Sequence, residues 1–169
     1  MARVPVFVSA PTDLNDEQNK TYEYLLDRLR DENLERRALG RSDYPTEYPL
    51  KEVMLIARHC SGGIILGFNQ ANAEKATFKP GTPKERVEAQ IKMPTPWNNL
   101  EAGMLFALKL PLMVFREDGI SGGVFDTGVT DVFIHRLPIG SELEPQKEPI
   151  KAAIQNWVAR VRDHYRNWN

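Results

Sequence analysis

Short apolar runs alternate with longer segments of helical periodicity along most of the chain. Three runs are apolar throughout and bounded by turn residues, as strands buried on both faces are; they cover Val4–Ser9 and residues 64–68 and 112–115. Residues 131–135 predict a further strand, and the short, charged segment 35–39 predicts a strand at the edge of the sheet. The pattern therefore predicts five strands.

Four segments between these strands place apolar residues at intervals of three and four, which is typical of amphipathic helices. The first begins with Asn15 and Gln18 in the spacing of a capping box and continues to about residue 34. The others are predicted to begin at Pro49, at Thr95 and near Pro149. Residues 70–94 are polar and rich in proline and glycine near residue 81, so we expect a lid or flexible insert with one short helical turn over residues 83–91.

Strands that alternate with helices imply right-handed crossovers and a parallel sheet. We therefore predict a single α/β domain over residues 1–169, of flavodoxin-like class, with a five-stranded, mostly parallel sheet of order 2-1-3-4-5 and helices on both faces. In such sheets ligands bind outside the carboxyl ends of the strands, where the direction of winding reverses. The loops at residues 9–13, 68–70 and 116–118 and the start of the third helix are expected at that rim.

One acidic residue interrupts the apolar stripe of the third helix. The predicted stripe consists of Trp97, Leu100, Met104, Leu105 and Leu108, and Glu101 lies on it, four residues after the tryptophan. A glutamate in this position often reaches solvent or pairs with an arginine. The alternative is a carboxylate at the mouth of a pocket, where it stabilises a cationic reaction centre.

The overall composition limits the possible partners. A formal net charge of −1 argues against a nucleic-acid-binding surface, and no apolar run is long enough to cross a membrane. The first residues lack the apolar core of a signal peptide, so we expect a cytoplasmic protein. Cys60 is the only cysteine, and the three histidines have no ligand spacing, so neither a disulfide nor a metal cofactor is expected.

Several segments resemble Toll/interleukin-1 receptor (TIR) domains. The first strand VFVS, the SDYP loop at residues 42–45 and the helix end ARHCS at residues 57–61 match the landmarks of that family. The most specific match is Trp97-x-x-x-Glu101-Ala102-Gly103, which is similar to the motif that opens the third helix of TIR domains. Nucleoside 2-deoxyribosyltransferases share this fold and carry a glutamate on the corresponding helix.

The resemblance implies cleavage or exchange of an N-glycosidic bond, with NAD or a nucleoside as substrate rather than as cofactor and Glu101 as the catalytic carboxylate. Trp97 or Phe68 would then stack on the leaving base. Ser9 would face ribose or phosphate oxygens, and Asn98 would donate a hydrogen bond. The residues predicted to bind substrate are Ser9, Ala10, Pro11, Asp13, Phe68, Asn69, Trp97, Asn98 and Arg116.

Two other functions agree with the same residues. A nucleoside deoxyribosyltransferase or hydrolase would use Glu101 in the same chemical role. A non-catalytic module would bind a nucleotide, or would associate with further copies or a TIR-type partner, with Tyr44 and Tyr48 as candidate contacts. A part in antiviral signalling follows from family analogy alone.

Overall fold

The computed structural model describes residues 3–39 and 48–168. Its strands are β1 (Val4–Ser9), β2 (Leu34–Arg37), β3 (Gly63–Gly67), β4 (Ala71–Phe78), β5 (Arg86–Met93), β6 (Leu112–Arg116) and β7 (Ile134–Arg136). Its helices are α1 (Asp16–Asp31), α2 (Pro49–Arg58), α3 (Pro96–Ala107) and α4 (Leu143–Trp168), with short 3-10 turns at Gly123–Phe125 and Gly140–Glu142. The alternation of strands and helices confirms the α/β class.

Five of the strands form one parallel sheet in the order β2-β1-β3-β6-β7. This order differs from the expected 2-1-3-4-5 because two strands that we did not predict, β4 and β5, lie between β3 and β6 in the chain. Those two pair with each other in a separate antiparallel sheet. The described part of the chain therefore contains a parallel sheet and a hairpin.

Helices cover both faces of the parallel sheet. Strand residues alternate in direction, so Val6 and Val8 pack with α1 and α4 on one face, whereas Phe7 packs with α2 and α3 on the other. Each face has its own apolar core. Ser9 follows the direction of Phe7, and its side chain therefore lies on the α3 face of the sheet.

The first helix forms as the sequence predicts. The Asn15 side chain accepts a hydrogen bond from the Gln18 backbone N–H, and the Gln18 side chain accepts one from the Asn15 backbone N–H. The helix ends at Asp31, before the expected end near residue 34, because Asn33 adopts a left-handed backbone conformation and Leu34 already belongs to β2.

The helical turn predicted over residues 83–91 is wrong. Residues 86–93 form β5, which pairs antiparallel with β4. No residue between 71 and 93 is buried, so the hairpin lacks the apolar repeat by which sequence patterns reveal a strand. The backbone pairing of β4 with β5, together with contacts at the base of the hairpin, holds these two strands in place.

The last helix begins at Leu143, six residues before the predicted start near Pro149, which lies inside the helix. Leu143 and Ile150 are both buried in the core, and this packing extends the helix across the proline. The hydroxyl of Tyr24 also donates to the carbonyl of Lys147 in this segment. The predicted strand at residues 131–135 shifts to Ile134–Arg136.

The SDYP loop at residues 42–45, with Tyr44, lies outside the described residues, and Tyr48 is exposed. No helix in the described ranges combines the length and the apolar composition that a membrane-spanning helix needs.

Candidate functional site

The start of α3 carries the residues of the candidate site. The Thr95 side chain accepts a hydrogen bond from the Trp97 backbone, and Pro96 occupies the first turn, as the sequence predicts. The buried side of the helix agrees with the expected stripe in part. Leu105 is buried, and Met104 and Leu108 pack against the core. Trp97 and Leu100 are 42% and 43% exposed, and Asn98 and Ala102 are buried instead. Small Ala102 lets the first half of the helix approach the sheet closely, and Trp97 and Leu100 lie on the outer side there.

A cavity of about 250 Å³ lies between the start of α3 and the carboxyl end of β1. Parallel α/β sheets bind ligands at this end of the strands. Three of its lining residues continue directly from β1, and three come from the start of α3. The lining residues are Ala10, Pro11, Thr12, Leu39, Gln70, Thr95, Trp97 and Glu101.

The Glu101 carboxyl is the acidic group of this cavity. Its side chain is half-buried, and it forms no ion pair with any residue in the described part of the chain. Burial raises the pKa of Glu101 to about 7, and a hydrogen bond from Ser9 opposes that rise. Both the protonated and the ionised form of this carboxyl are therefore populated near neutral pH.

Ser9 and Asn98 form a buried pair next to this carboxyl. The Asn98 Nδ2 atom donates to Ser9 Oγ at 2.8 Å, and the two side chains are 0% and 1% exposed, respectively. Neither residue belongs to the cavity lining. Their predicted direct contact with a substrate is therefore replaced by a contact with each other, because β1 and α3 pack closely at this point.

Four further predicted site residues do not line the cavity; they are Asp13, Phe68, Asn69 and Arg116. Phe68 is fully buried in the core on the α1 and α4 side of the sheet, so it cannot stack on a base in this cavity. Asp13 is exposed and accepts a hydrogen bond from the Thr12 hydroxyl. The Arg116 guanidinium donates to the Phe125 carbonyl at 2.7 Å, and so its position is set by the loop after β6.

Asn69 instead fixes the base of the hairpin. Its side chain accepts from the Met93 backbone and donates to Asn72, and its backbone N–H donates to Glu117 Oε2. Gln70, the next residue, donates from its side chain to the Asp13 carbonyl and lines the cavity. The hairpin thereby connects to one wall of the candidate site.

Sequence reasoning identified part of the cavity. Gln70 and Thr12 fall within loops that were expected at the rim, although neither was chosen as a substrate-binding residue, and Thr95 was identified only as a helix cap. Leu39 follows the edge strand, and nothing in its sequence context points to a site. Only the strand order, with β2 next to β1, brings it to the cavity.

Two cavities of about 550 Å³ each are more than twice as large as this one; they lie along β6 and the segment that leads to β7, and they share Leu112, Asp131, Val132 and Arg160. They begin at the amino end of β6, which is the opposite end from the one where parallel sheets bind ligands. Size alone favours these two cavities. The smaller cavity, however, holds the half-buried Glu101 carboxyl, whose pKa is raised, and a strongly perturbed pKa is a better indicator of chemistry than volume.

Among the described residues, no cluster of three or more histidine, cysteine, aspartate or glutamate side chains is arranged to hold a metal ion. No protein-family model matches this sequence, and no curated protein matches it.

Proposed function

We propose that this chain is a TIR-like enzyme of flavodoxin-like fold that cleaves or exchanges the N-glycosidic bond of NAD, with Glu101 as the catalytic carboxylate. The observation that carries the proposal is the Glu101 carboxyl itself. It lies in a cavity at the carboxyl end of the strands, without a cationic partner among the described residues, beside a partly exposed indole. The proposal makes NAD a substrate and not a cofactor.

The electrostatics of the cavity favour a cationic ligand. A buried carboxylate with no counterion is costly, which is why the pKa of Glu101 rises. The nicotinamide ring of NAD carries a positive charge, and its approach would favour the ionised form of the carboxyl. Stacking of the charged ring on Trp97 would contribute roughly 0.5–2 kcal/mol more.

The positive charge of the nicotinamide ring also determines how its bond to the ribose breaks. As the bond between nicotinamide and the ribose breaks, its electron pair moves to the ring nitrogen, and nicotinamide leaves as a neutral base. The positive charge then moves to the anomeric carbon and the ring oxygen of the sugar. The Glu101 carboxylate would stabilise this cation or form an ester with the anomeric carbon. Attack by water at that carbon, with loss of a proton, would give ADP-ribose; attack by another base would give exchange.

The cavity size agrees with a partly enclosed substrate. A volume of about 250 Å³ is below the roughly 300–1,000 Å³ of typical ligand pockets. We therefore place the nicotinamide and its ribose inside and the adenosine half outside, near Gln70 and Thr12 at the rim.

Release of free nicotinamide from NAD by the purified protein, measured by liquid chromatography, tests this function. We expect turnover by the wild type, a loss of at least about 100-fold with Glu101→Gln, and unchanged turnover with Glu148→Gln, whose side chain is 85% exposed. A parallel incubation with a deoxynucleoside and a second free base detects the transferase. Exchange there without nicotinamide release would assign the nucleoside reaction instead.

A second candidate function is a protein-interaction module, and the outer face of α3 favours it. Leu100 and Phe106 are 43% and 52% exposed, respectively, and Glu101 is the only charged residue of the helix. Exposed apolar patches often mark interaction sites. Association of copies in light scattering that Leu100→Glu abolishes, together with no reaction of NAD or nucleosides, would favour this function.

A further inference from the structure

Two cavities at the amino end of β6 have no part in the chemistry proposed above. Each has a volume of about 550 Å³, which is within the roughly 300–1,000 Å³ of typical ligand pockets. The two cavities share Leu112, Asp131, Val132 and Arg160, and we call them together the β6 groove. The cavity beside Glu101 lies at the carboxyl end of the strands. The β6 groove is therefore a separate site.

The groove exists because β7 begins too late to cover the start of β6. In the register of this pair, β7 is aligned with Val114–Arg116 only. Leu112 and Met113 therefore have no strand partner on that side within the described residues. Asp131 and Val132 line the groove without belonging to a strand, and residues of α4 line it on one face of the sheet. A gap of this kind leaves room for a ligand beside the strand.

The first cavity of the groove, between the end of α3 and the start of β6, has a largely apolar wall. Phe106, which lines this cavity, is 52% exposed. Covering such a side chain with an apolar group is favourable, because it removes apolar surface from water. The apolar lining residues are Phe106, Ala107, Leu110, Pro111, Leu112 and Val132. This wall fits a hydrocarbon chain better than a polar ligand.

The charged residues of the groove leave an excess of one positive charge. They are Lys109, Asp131 and Arg160, which are two cations and one carboxylate. None of the three forms an ion pair with a residue in the ranges that the structure describes. His135 also lines the groove, but burial and the charge of Arg160 lower its pKa, so it is mainly neutral at pH 7. A ligand with one negative charge would balance the groove.

Arg160 is the cation that both cavities share. Its Nη2 atom donates to the Leu112 carbonyl at 3.5 Å, which is long for a hydrogen bond and is its only one to the described residues. A guanidinium carries five N–H donors, so most of them remain for a ligand. Arginine binds carboxylates through two parallel hydrogen bonds. The guanidinium can therefore hold a carboxylate at the junction of the two cavities.

We propose that the β6 groove binds a straight-chain amphiphile with a carboxylate head, such as a free fatty acid. The head lies at Arg160, and the chain lies along the apolar wall between the end of α3 and the start of β6. A single carboxylate matches the one excess positive charge of the groove. The site goes beyond the proposed reaction of NAD, because no step of that reaction uses it.

NMR of the full chain with labelled methyl groups, titrated with decanoate below its micelle concentration, tests the site. The methyl signals of Leu110, Leu112 and Val132 should shift together and saturate, because these residues line the groove. Leu39 lines the cavity beside Glu101 and should not shift. Shifts at Leu39 and not in the groove, or no shift at any concentration, would overturn the proposal.

Three substitutions test the position of the head group. Arg160→Gln should weaken decanoate binding by about fivefold or more, because the carboxylate loses its charged partner. The matched control is Arg162→Gln on the same helix: Arg162 pairs with Glu32 at 3.1 Å, does not line the groove and should leave the affinity unchanged. Asp131→Asn should tighten binding by about twofold or more, because a like charge is removed. Unchanged affinity in Arg160→Gln would overturn the assigned head group.

A cationic amphiphile separates charge recognition from apolar contact. Decyltrimethylammonium has a chain of the same length as decanoate and should bind about fivefold more weakly or less, because its head repels Arg160. Equal affinities would overturn the carboxylate specificity. None of these titrations needs NAD. A protein that binds decanoate and releases no nicotinamide would overturn the proposed function and leave the groove as a ligand site, so the two failures are distinguishable.

Discussion

Glu101 is predicted to make the protein less stable as the pH rises from about 4.5 to about 7. The pKa of this carboxyl is 4.5 in its ordinary state and about 7 in the folded protein, because burial disfavours its charge. Between these values the unfolded chain loses the proton and the folded chain keeps it. The unfolded state then binds fewer protons, so the free energy of unfolding falls with rising pH.

The expected size follows from the two pKa values. A rise from 4.5 to about 7 corresponds to about 3 kcal/mol of stability that is present below pH 4.5 and absent above pH 7. Glu101→Gln keeps the shape of the protonated side chain but cannot ionise. The variant should match the wild type near pH 4 and exceed its stability by about 3 kcal/mol near pH 8.

Urea unfolding followed by circular dichroism at several pH values between about 4 and 8 measures this difference. Other titrating groups contribute equally to both proteins, so the difference between the two curves isolates Glu101. Glu148→Gln is the control and should follow the wild type throughout, because its side chain is 85% exposed. A constant difference between the wild type and Glu101→Gln over the whole pH range would refute the raised pKa of the Glu101 carboxyl.

Two further predictions concern ligand charge and packing. NAD should raise the melting temperature more than NADH, whose nicotinamide ring is uncharged. The difference between the two shifts in melting temperature should grow as the pH rises through about 7 and should vanish in Glu101→Gln. Equal shifts with NAD and NADH would contradict the electrostatic account. Gly103→Ala should stabilise the protein by about 1 kcal/mol, because an added Cβ meets no atom within 4 Å and alanine favours the helix. Gly67→Ala should destabilise the protein by about 1–3 kcal/mol, because the added Cβ would lie 2.4 Å from the Phe125 ring. Urea unfolding measures the stability of both variants. A Gly67→Ala protein more stable than Gly103→Ala would contradict this description of the packing.

The parallel sheet was predictable because its strands are buried on both faces. Residues 64–66 and 112–115 are continuous apolar runs, and all of them are buried in the structure. Such runs define a strand without knowledge of its neighbours. The hairpin of β4 and β5 was not predictable in this way, because it buries none of its residues and carries many charges.

The face of α3 was predicted correctly in its second half, where Leu105 is buried, and incorrectly at its start. Trp97 and Leu100 are the larger apolar residues, and periodicity therefore assigned them to the core. The structure buries Asn98 and Ala102 instead, because the close approach of helix and sheet admits small side chains. Glu101 thus borders the cavity, as expected, although the residues around it face directions that differ from the predicted ones.

The contact between Ser9 and Asn98 lay beyond sequence reasoning. The two residues are 89 positions apart, and each is common at the end of a strand or the start of a helix. The strand order predicted that their loops share a rim, but side-chain direction decides that they contact each other and not the cavity. A hydrogen bond of this kind becomes visible only in three dimensions.

A crystal structure of Glu101→Gln with bound NAD tests the central claim most directly. The account predicts that the nicotinamide ribose lies in the cavity between β1 and α3, with the substituted side chain within about 3.5 Å of the anomeric carbon and the ring against Trp97. NAD bound in the cavities along β6 and the segment that leads to β7, or bound with its ribose far from position 101, would contradict it.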